Sequence, residues 1–157
     1  MKLIGLIAFC ATIISSQALS QNLAVSDQEL LKYATVIDSV NEMSASVRLE
    51  LADMVKKGNT IMTTARYNEL SKIIGDQAQL QTAKATPEEI EFVKQVVAKK
   101  TEEMDRISNT YQTLAKDYVT PAIFNKVKKA LTNDPILKKR YDSLMLELAK
   151  DDPAADQ

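Results

Sequence analysis

Two capping boxes lie 60 residues apart, and each opens an apolar stripe that aligns with the other without a gap. Ser26-Asp27-Gln28-Glu29 is the first box and Thr86-Pro87-Glu88-Glu89 the second. In this motif a hydroxyl accepts a backbone N–H at a helix start, and the glutamate three residues on reaches back. The first stripe runs Leu30, Tyr33, Ile37, Val40, Ser44, Val47, Leu51, Met54. The second runs Ile90, Val93, Val97, Lys100, Met104, Ile107, Tyr111, Leu114. Spacings of three and four place each set on one helix face, and no segment alternates as a strand would. A single long helix cannot bury such a stripe alone. The expected fold is therefore all-α, a duplicated helical hairpin forming an elongated up-down helical bundle. Each half contributes one long helix plus a broken returning helix pair, over residues 26–85 and 86–150.

The punctuation between helices fits this plan. The first long helix should run from Asp27 to Lys57, with Lys56 and Lys57 at its negative end and Gly58 as its cap. A polar loop to Thr63 precedes a helix from Thr64 to Ile74, and Gly75-Asp76 starts another that reaches Lys84. The second long helix should run from Pro87 to Tyr118. Thr120-Pro121 and Asp134-Pro135 then start two further helices, because proline is tolerated at the first helical position. Tyr67-Asn68-Glu69-Leu70-Ser71-Lys72 aligns with Phe124-Asn125-Lys126-Val127-Lys128-Lys129, and Asp76 and Leu80 with Asp134 and Leu137. Heptads of this length also permit a coiled-coil homodimer.

Residues 1–20 read as a signal peptide rather than as part of the fold. Lys2 gives the basic start, Leu3 to Ile14 the apolar core, and Ala18 and Ser20 the small-x-small site, so the exported chain begins at Gln21. Cleavage after Ala18 is the alternative. Cys10 sits inside the apolar core behind Phe9, which does not fit a lipid-attachment site. Residues 21–157 then make a single helical domain with a frayed acidic tail, expected in the periplasm or outside the cell, and with no transmembrane segment once the leader is gone.

Composition removes several function classes. Without Lys2 the exported chain has 19 basic and 21 acidic residues, a balance that argues against a nucleic-acid partner. It contains no His, no Trp and, past Cys10, no Cys. Serine–histidine and cysteine–histidine catalysis therefore have no side chains to use, and imidazole or thiolate metal sites have no ligands. Three glycines, Gly5, Gly58 and Gly75, make no phosphate-cradling loop. No catalytic residue, no cofactor and no metal is expected.

The segments Ser26-Asp27-Gln28-Glu29-Leu30, Tyr67-Asn68-Glu69-Leu70 and Asp134-Pro135-Ile136-Leu137 resemble the pattern of the exported bacterial domain-of-unknown-function family 4168 (DUF4168). The resemblance covers most of the chain after the leader. It implies an exported helical domain, here as a tandem copy, and it implies no activity.

The candidate sites each have a structural alternative. Tyr67-Asn68 and Phe124-Asn125 can mark a binding corner, or the rings can simply plug the hairpin ends. Lys100 interrupts an otherwise apolar stripe and can face a small anion, or snorkel to water. Lys126, Lys128, Lys129, Lys138, Lys139 and Arg140 concentrate six cations against Asp134 alone, either as a contact for an anionic surface or as a solvated face. Met43, Met54, Met62, Met104 and Met145 serve as core filler or as a surface that accepts varied clients. The leading function is a non-enzymatic binding module of the bacterial cell envelope, with an envelope protein or an anionic surface as partner. A periplasmic chaperone-like holdase and a small helical enzyme are the alternatives.

Overall fold

A computed structural model describes residues 24–150. The expected leader and the tail from Asp151 to Gln157 lie outside the described residues. The protein is all-helical, with no strand among the described residues. Its helices are α1 (Asp27–Lys57), α2 (Thr64–Ile73), α3 (Gln77–Thr82), α4 (Pro87–Thr113), α5 (Pro121–Asn133) and α6 (Pro135–Leu148). A single 3₁₀ turn, Gly58–Thr60, follows α1, and a π-helical segment, Leu114–Val119, extends α4.

Both capping boxes form. Ser26 N–H donates to Glu29 Oε2 at 2.8 Å while Glu29 N–H donates to Ser26 Oγ at 3.2 Å. Thr86 and Glu89 make the same reciprocal pair at 2.9 and 3.2 Å. Asp76 and Asp134 cap α3 and α6 by accepting two backbone N–H groups each. These contacts satisfy donors that a helix start otherwise leaves unpaired.

α1 and α4 lie side by side and antiparallel. Gly58 meets Phe92 at one end. Lys99 reaches Glu50 at 3.3 Å in the middle. At the other end Tyr33 of α1 meets Phe124 at a tilt and Tyr111 of α4 meets it edge-on. Each end of this pair is closed by one short helical pair and holds its own core. Leu30, Tyr33, Val36, Val119, Phe124, Val127 and Leu137 form one cluster, and Met62, Leu70, Leu80 and Val93 form the other. The pair that follows a long helix packs mainly on the opposite long helix. α5 and α6 lie on the start of α1, and α2 lies on the start of α4.

Three local expectations change. Gly58 takes the C-cap position, but at φ −74°, which any residue adopts. Glycine is needed there for space, since a Cβ would run into the Phe92 ring. The α4 stripe is also displaced. Val96 is 1% exposed and Glu103 6%, whereas Lys100 is exposed and Met104 is 52% exposed. Val93 and Ile107 keep the expected stripe buried, but between them Val96 and Glu103 are covered in place of Lys100 and Met104. This middle stretch lies between the two end cores, so part of the stripe faces water. Finally, α4 does not stop cleanly. Pro121 keeps the residue before it out of the helical region, and Thr120 turns the chain at φ 76°, ψ 143°, an uncommon backbone for a β-branched residue.

Candidate functional site

The six cations anticipated as a patch are divided by the fold into two groups. Lys126 faces inward, and its Nζ donates to both carboxylate oxygens of Glu29 at 2.8 and 2.9 Å. Arg140 pairs with Asp27 and Lys138 with Asp142. Lys138 also stands 5.7 Å from the Tyr141 ring centroid. Lys128, Lys129 and Lys139 are exposed and have no carboxylate partner among the described residues. Along α6 and into the turn that ends it, Ile136, Lys139, Ser143, Leu146 and Lys150 follow at spacings of three and four, and all are exposed. Ile136 is 73% exposed and Leu146 70%, the highest values among the large apolar side chains described. The opposite stripe, Leu137, Tyr141, Leu144 and Leu148, faces the bundle.

Beside that outer stripe a shallow groove of about 490 Å³ separates α6 from the start of α1. Leu30, Leu31 and Leu144 form its floor, with Lys139 and Ser143 on one wall and the Arg140–Asp27 pair on another. Leu31 is 45% exposed there. A second hollow of about 290 Å³ lies under the π-helical segment, between Tyr111, Gln112, Lys116, Pro121, Phe124 and Asn125. It contains one of the two aromatic–Asn corners. In both corners the ring packs inward while Asn68 and Asn125 lie at the surface. Tyr67 meets Phe92 edge-on at 6.3 Å, and Phe124 lies 4.8 Å from Tyr33.

Charge distribution sets α5 and α6 apart. Between Pro121 and Lys150 seven basic residues stand against three acidic ones, a net charge of +4. From Ala24 to Thr120 twelve basic residues stand against fifteen acidic ones, a net charge of −3.

Two groups of ionic contacts escaped the sequence reading. Arg66 donates to Glu89 at 3.0 and 3.3 Å, to Glu69 at 3.0 Å and to the Ala83 carbonyl at 2.8 Å, so it clamps the α3–α4 linker onto the capping box of α4. It is the counterpart of Lys126 on Glu29. Both acids are held below the ordinary glutamate range, first by these cations and then by their capping N–H groups. Arg66 and Lys126 lie 60 residues apart, as do Glu29 and Glu89, but the aromatic–Asn alignment, at an offset of 57, sets Lys126 opposite Glu69 and so hides the correspondence. Mid-helix, buried Glu103 accepts from Lys99 at 2.7 Å and from Arg106 Nε at 2.7 Å, which lowers its pKa as well. Arg48 and Arg106 point to solvent rather than toward a common centre.

Among the described residues no group of three or more acids, histidines or cysteines is placed to hold a metal ion. No helix among them is long and apolar enough to cross a membrane. Compared with protein-family models, curated proteins and solved structures, the chain matches none.

Proposed function

We propose that this chain is an exported, non-enzymatic helical bundle of the bacterial envelope, and that the α5–α6 hairpin is its contact with an anionic surface. The observation that carries this reading is the charge asymmetry, +4 on α5–α6 against −3 on the preceding described residues. Lys128, Lys129 and Lys139 supply cations that no carboxylate among the described residues neutralises. A basic residue close to an anionic bilayer is attracted by about 1 kcal/mol, screened within a Debye length of roughly 10 Å at 0.1 M salt. Three such residues give a contact that salt reverses.

The finer architecture belongs to the same reading. The chain is a tandem copy of one helical hairpin, in line with its resemblance to DUF4168. The capping boxes, the matched Glu29–Lys126 and Glu89–Arg66 clamps, and the closure of each end by the opposite half support a duplication. The tandem copy places one short hairpin at each end of the α1–α4 pair, and only one of the two has become cationic.

The test is co-sedimentation of residues 21–157, which contain every element described, with phosphatidylglycerol vesicles over a salt series. Binding should fall steeply between about 50 and about 300 mM salt, as the Debye length shrinks. Changing Lys128, Lys129 and Lys139 to Gln should abolish it with the helical circular dichroism intact, because Lys and Gln have similar helix propensities. Retention of binding by that triple variant sinks the reading.

One observation favours a holdase as the second reading. Between the two cores, α1 and α4 run as a two-helix stretch with half-buried Met43 and Met54 and exposed Leu49 and Met104. Suppression of client aggregation that disappears in a Leu49→Gln/Met104→Gln variant would favour it over the anionic-surface reading.

A further inference from the structure

The lysines of α5–α6 explain attraction to any polyanion, but they do not explain why the most exposed large apolar side chains of the described residues lie among them. We infer that the outer face of α6 enters a lipid bilayer, with Ile136 and Leu146 as its apolar anchors, so that the partner is an anionic membrane rather than an acidic protein. The inference rests on the reading of this hairpin as an anionic contact, and it names the chemistry of that contact.

Three observations converge. First, the outer stripe Ile136, Lys139, Ser143, Leu146, Lys150 contains no acid. The acids of α6 are Asp142, which pairs with Lys138, and Glu147, which lines the groove. A helix lying in a membrane interface combines cations with apolar side chains that sink below the headgroups. Long lysine stems let the ammonium stay at the phosphates while the neighbouring leucine goes deeper.

Second, exposed apolar groups gather at this end. Leu31, Tyr118, Ile136 and Leu146 are four of the six large apolar side chains exposed among the described residues, and the segment from Gly58 to Val97 contributes none. Leu31 borders the groove that Lys139 and Ser143 also line, so it extends the α6 stripe. Tyr118 lies under the Lys32 ammonium at 5.4 Å, and an aromatic ring with one polar edge suits the headgroup layer.

Third, the exposure is not needed for folding. α6 already buries Leu137 and packs Tyr141 and Leu144 on the core, so leucine at 146 and isoleucine at 136 add nothing to its docking. An acidic partner that offers only charge would be met by the lysines alone, and it leaves Ile136 and Leu146 without a role.

The chain contains no tryptophan, so Leu146→Trp supplies a single indole, excited selectively over the five tyrosines at the red edge of its absorption. Residues 21–157 carrying this change are titrated with phosphatidylglycerol vesicles and, separately, with polyglutamate of equal charge. The inference expects a blue shift with vesicles and none with polyglutamate. It also expects an Ile136→Ser/Leu146→Ser variant to lose about ten-fold or more in vesicle affinity, since both side chains leave water on insertion, with its helical circular dichroism and melting temperature unchanged. If the serine variant binds vesicles as tightly as the parent and the Leu146→Trp fluorophore shows no shift, insertion is overturned while the cationic contact stands. If the Lys128/Lys129/Lys139 glutamine variant also binds vesicles normally, the cationic contact fails and the inference with it.

Discussion

The two short hairpins close opposite ends of the α1–α4 pair, yet their outer faces differ in charge and apolar exposure. α2–α3 is brief, and from Thr64 to Thr82 it carries Arg66 and Lys72 against Glu69 and Asp76, a net charge of zero. Its cation Arg66 is committed to the linker and the capping box of α4. α5–α6 keeps the same inward clamp through Lys126, but α6 has 14 residues where α3 has 6, and its outer stripe is cationic and apolar. Where two hairpins share their inward chemistry and differ in their outward chemistry, the shared part reports folding. The part that differs is where a function can reside. This contrast directs attention to α6 rather than to the clamps, although the clamps have the better-formed geometry.

The largest expected effects fall on the shared part, and they should be alike at both ends. Leu70 is fully buried at one end and Phe124 is 8% exposed at the other. Leu70→Ala should cost about 2–5 kcal/mol and Phe124→Ala about 3–5 kcal/mol in urea unfolding, the ranges for such truncations in a packed core. A cost below about 1 kcal/mol at one end only would mean that this end is not a folded core, and the comparison of the two hairpins would lose its basis.

Much of this arrangement was legible in the chain. Helix starts were readable because capping is local chemistry: a hydroxyl or carboxylate, the next two or three N–H groups and a proline suffice. Residues 26, 76, 86 and 134 all cap the helices expected of them. What depends on another segment was not readable. Lys126 looked like a member of a surface patch, because nothing near it in sequence announces Glu29, 97 residues away. Gly58 was readable as a cap, but not why it is glycine, because Phe92 arrives from the second long helix. The π-helical exit of α4 and the turn at Thr120 leave no local signature beyond Pro121. Of the candidate contact face, the concentration of lysines was visible, but which of them remain unpaired, and that Ile136 and Leu146 accompany them, required the packed hairpin.

A next tier of effects separates the two glycines, both at the neutral end. Gly58→Ala drives a methyl into the Phe92 ring and should cost about 1–3 kcal/mol, as overpacking does. At Gly75, in the turn between α2 and α3, an added Cβ meets nothing within 4 Å, and its φ is not positive. Gly75→Ala should be neutral, or stabilising by up to about 1 kcal/mol through the unfolded chain. Thermal melts of the two variants check both, and a Gly58→Ala protein as stable as its parent would remove Phe92 as the reason for that glycine.

The ion-pair clamps should make both ends acid-sensitive together. Glu29 and Glu89 have folded pKa values below the ordinary 4.5, so folding favours their charged forms. That stabilisation is complete above about pH 4.5, the unfolded value, and is lost as pH falls through the lower folded values. The melting temperature should hold steady from about pH 8 to about pH 5.5 and decline below about pH 4.5. Glu29→Gln and Glu89→Gln each keep a capping-box side chain but remove its charge. Each should lower the melting temperature at neutral pH and flatten the acid limb by a similar amount. Flattening in one variant only would show that the clamps are not equivalent.

The smallest expected effect tests the stretch between the ends. A strict heptad would seat Lys100 and Met104 against a partner helix, as in a coiled-coil dimer. α4 buries the stripe residue Ile107 and its off-stripe neighbour Glu103, but leaves Lys100 and Met104 outside. Lys100→Ala and Met104→Gln should therefore change stability by less than about 0.5 kcal/mol, the usual range for surface sites. Ile107→Ala, one turn on from Glu103, should cost about 2–5 kcal/mol. The contrast is the measurement, because the three positions lie on one helix within eight residues and the propensity differences among the substitutions are under about 1 kcal/mol. A concentration-dependent loss of more than about 1 kcal/mol at Met104, well beyond the surface range, would place a second copy against the middle of α4. The waist, rather than α6, would then become the surface to pursue.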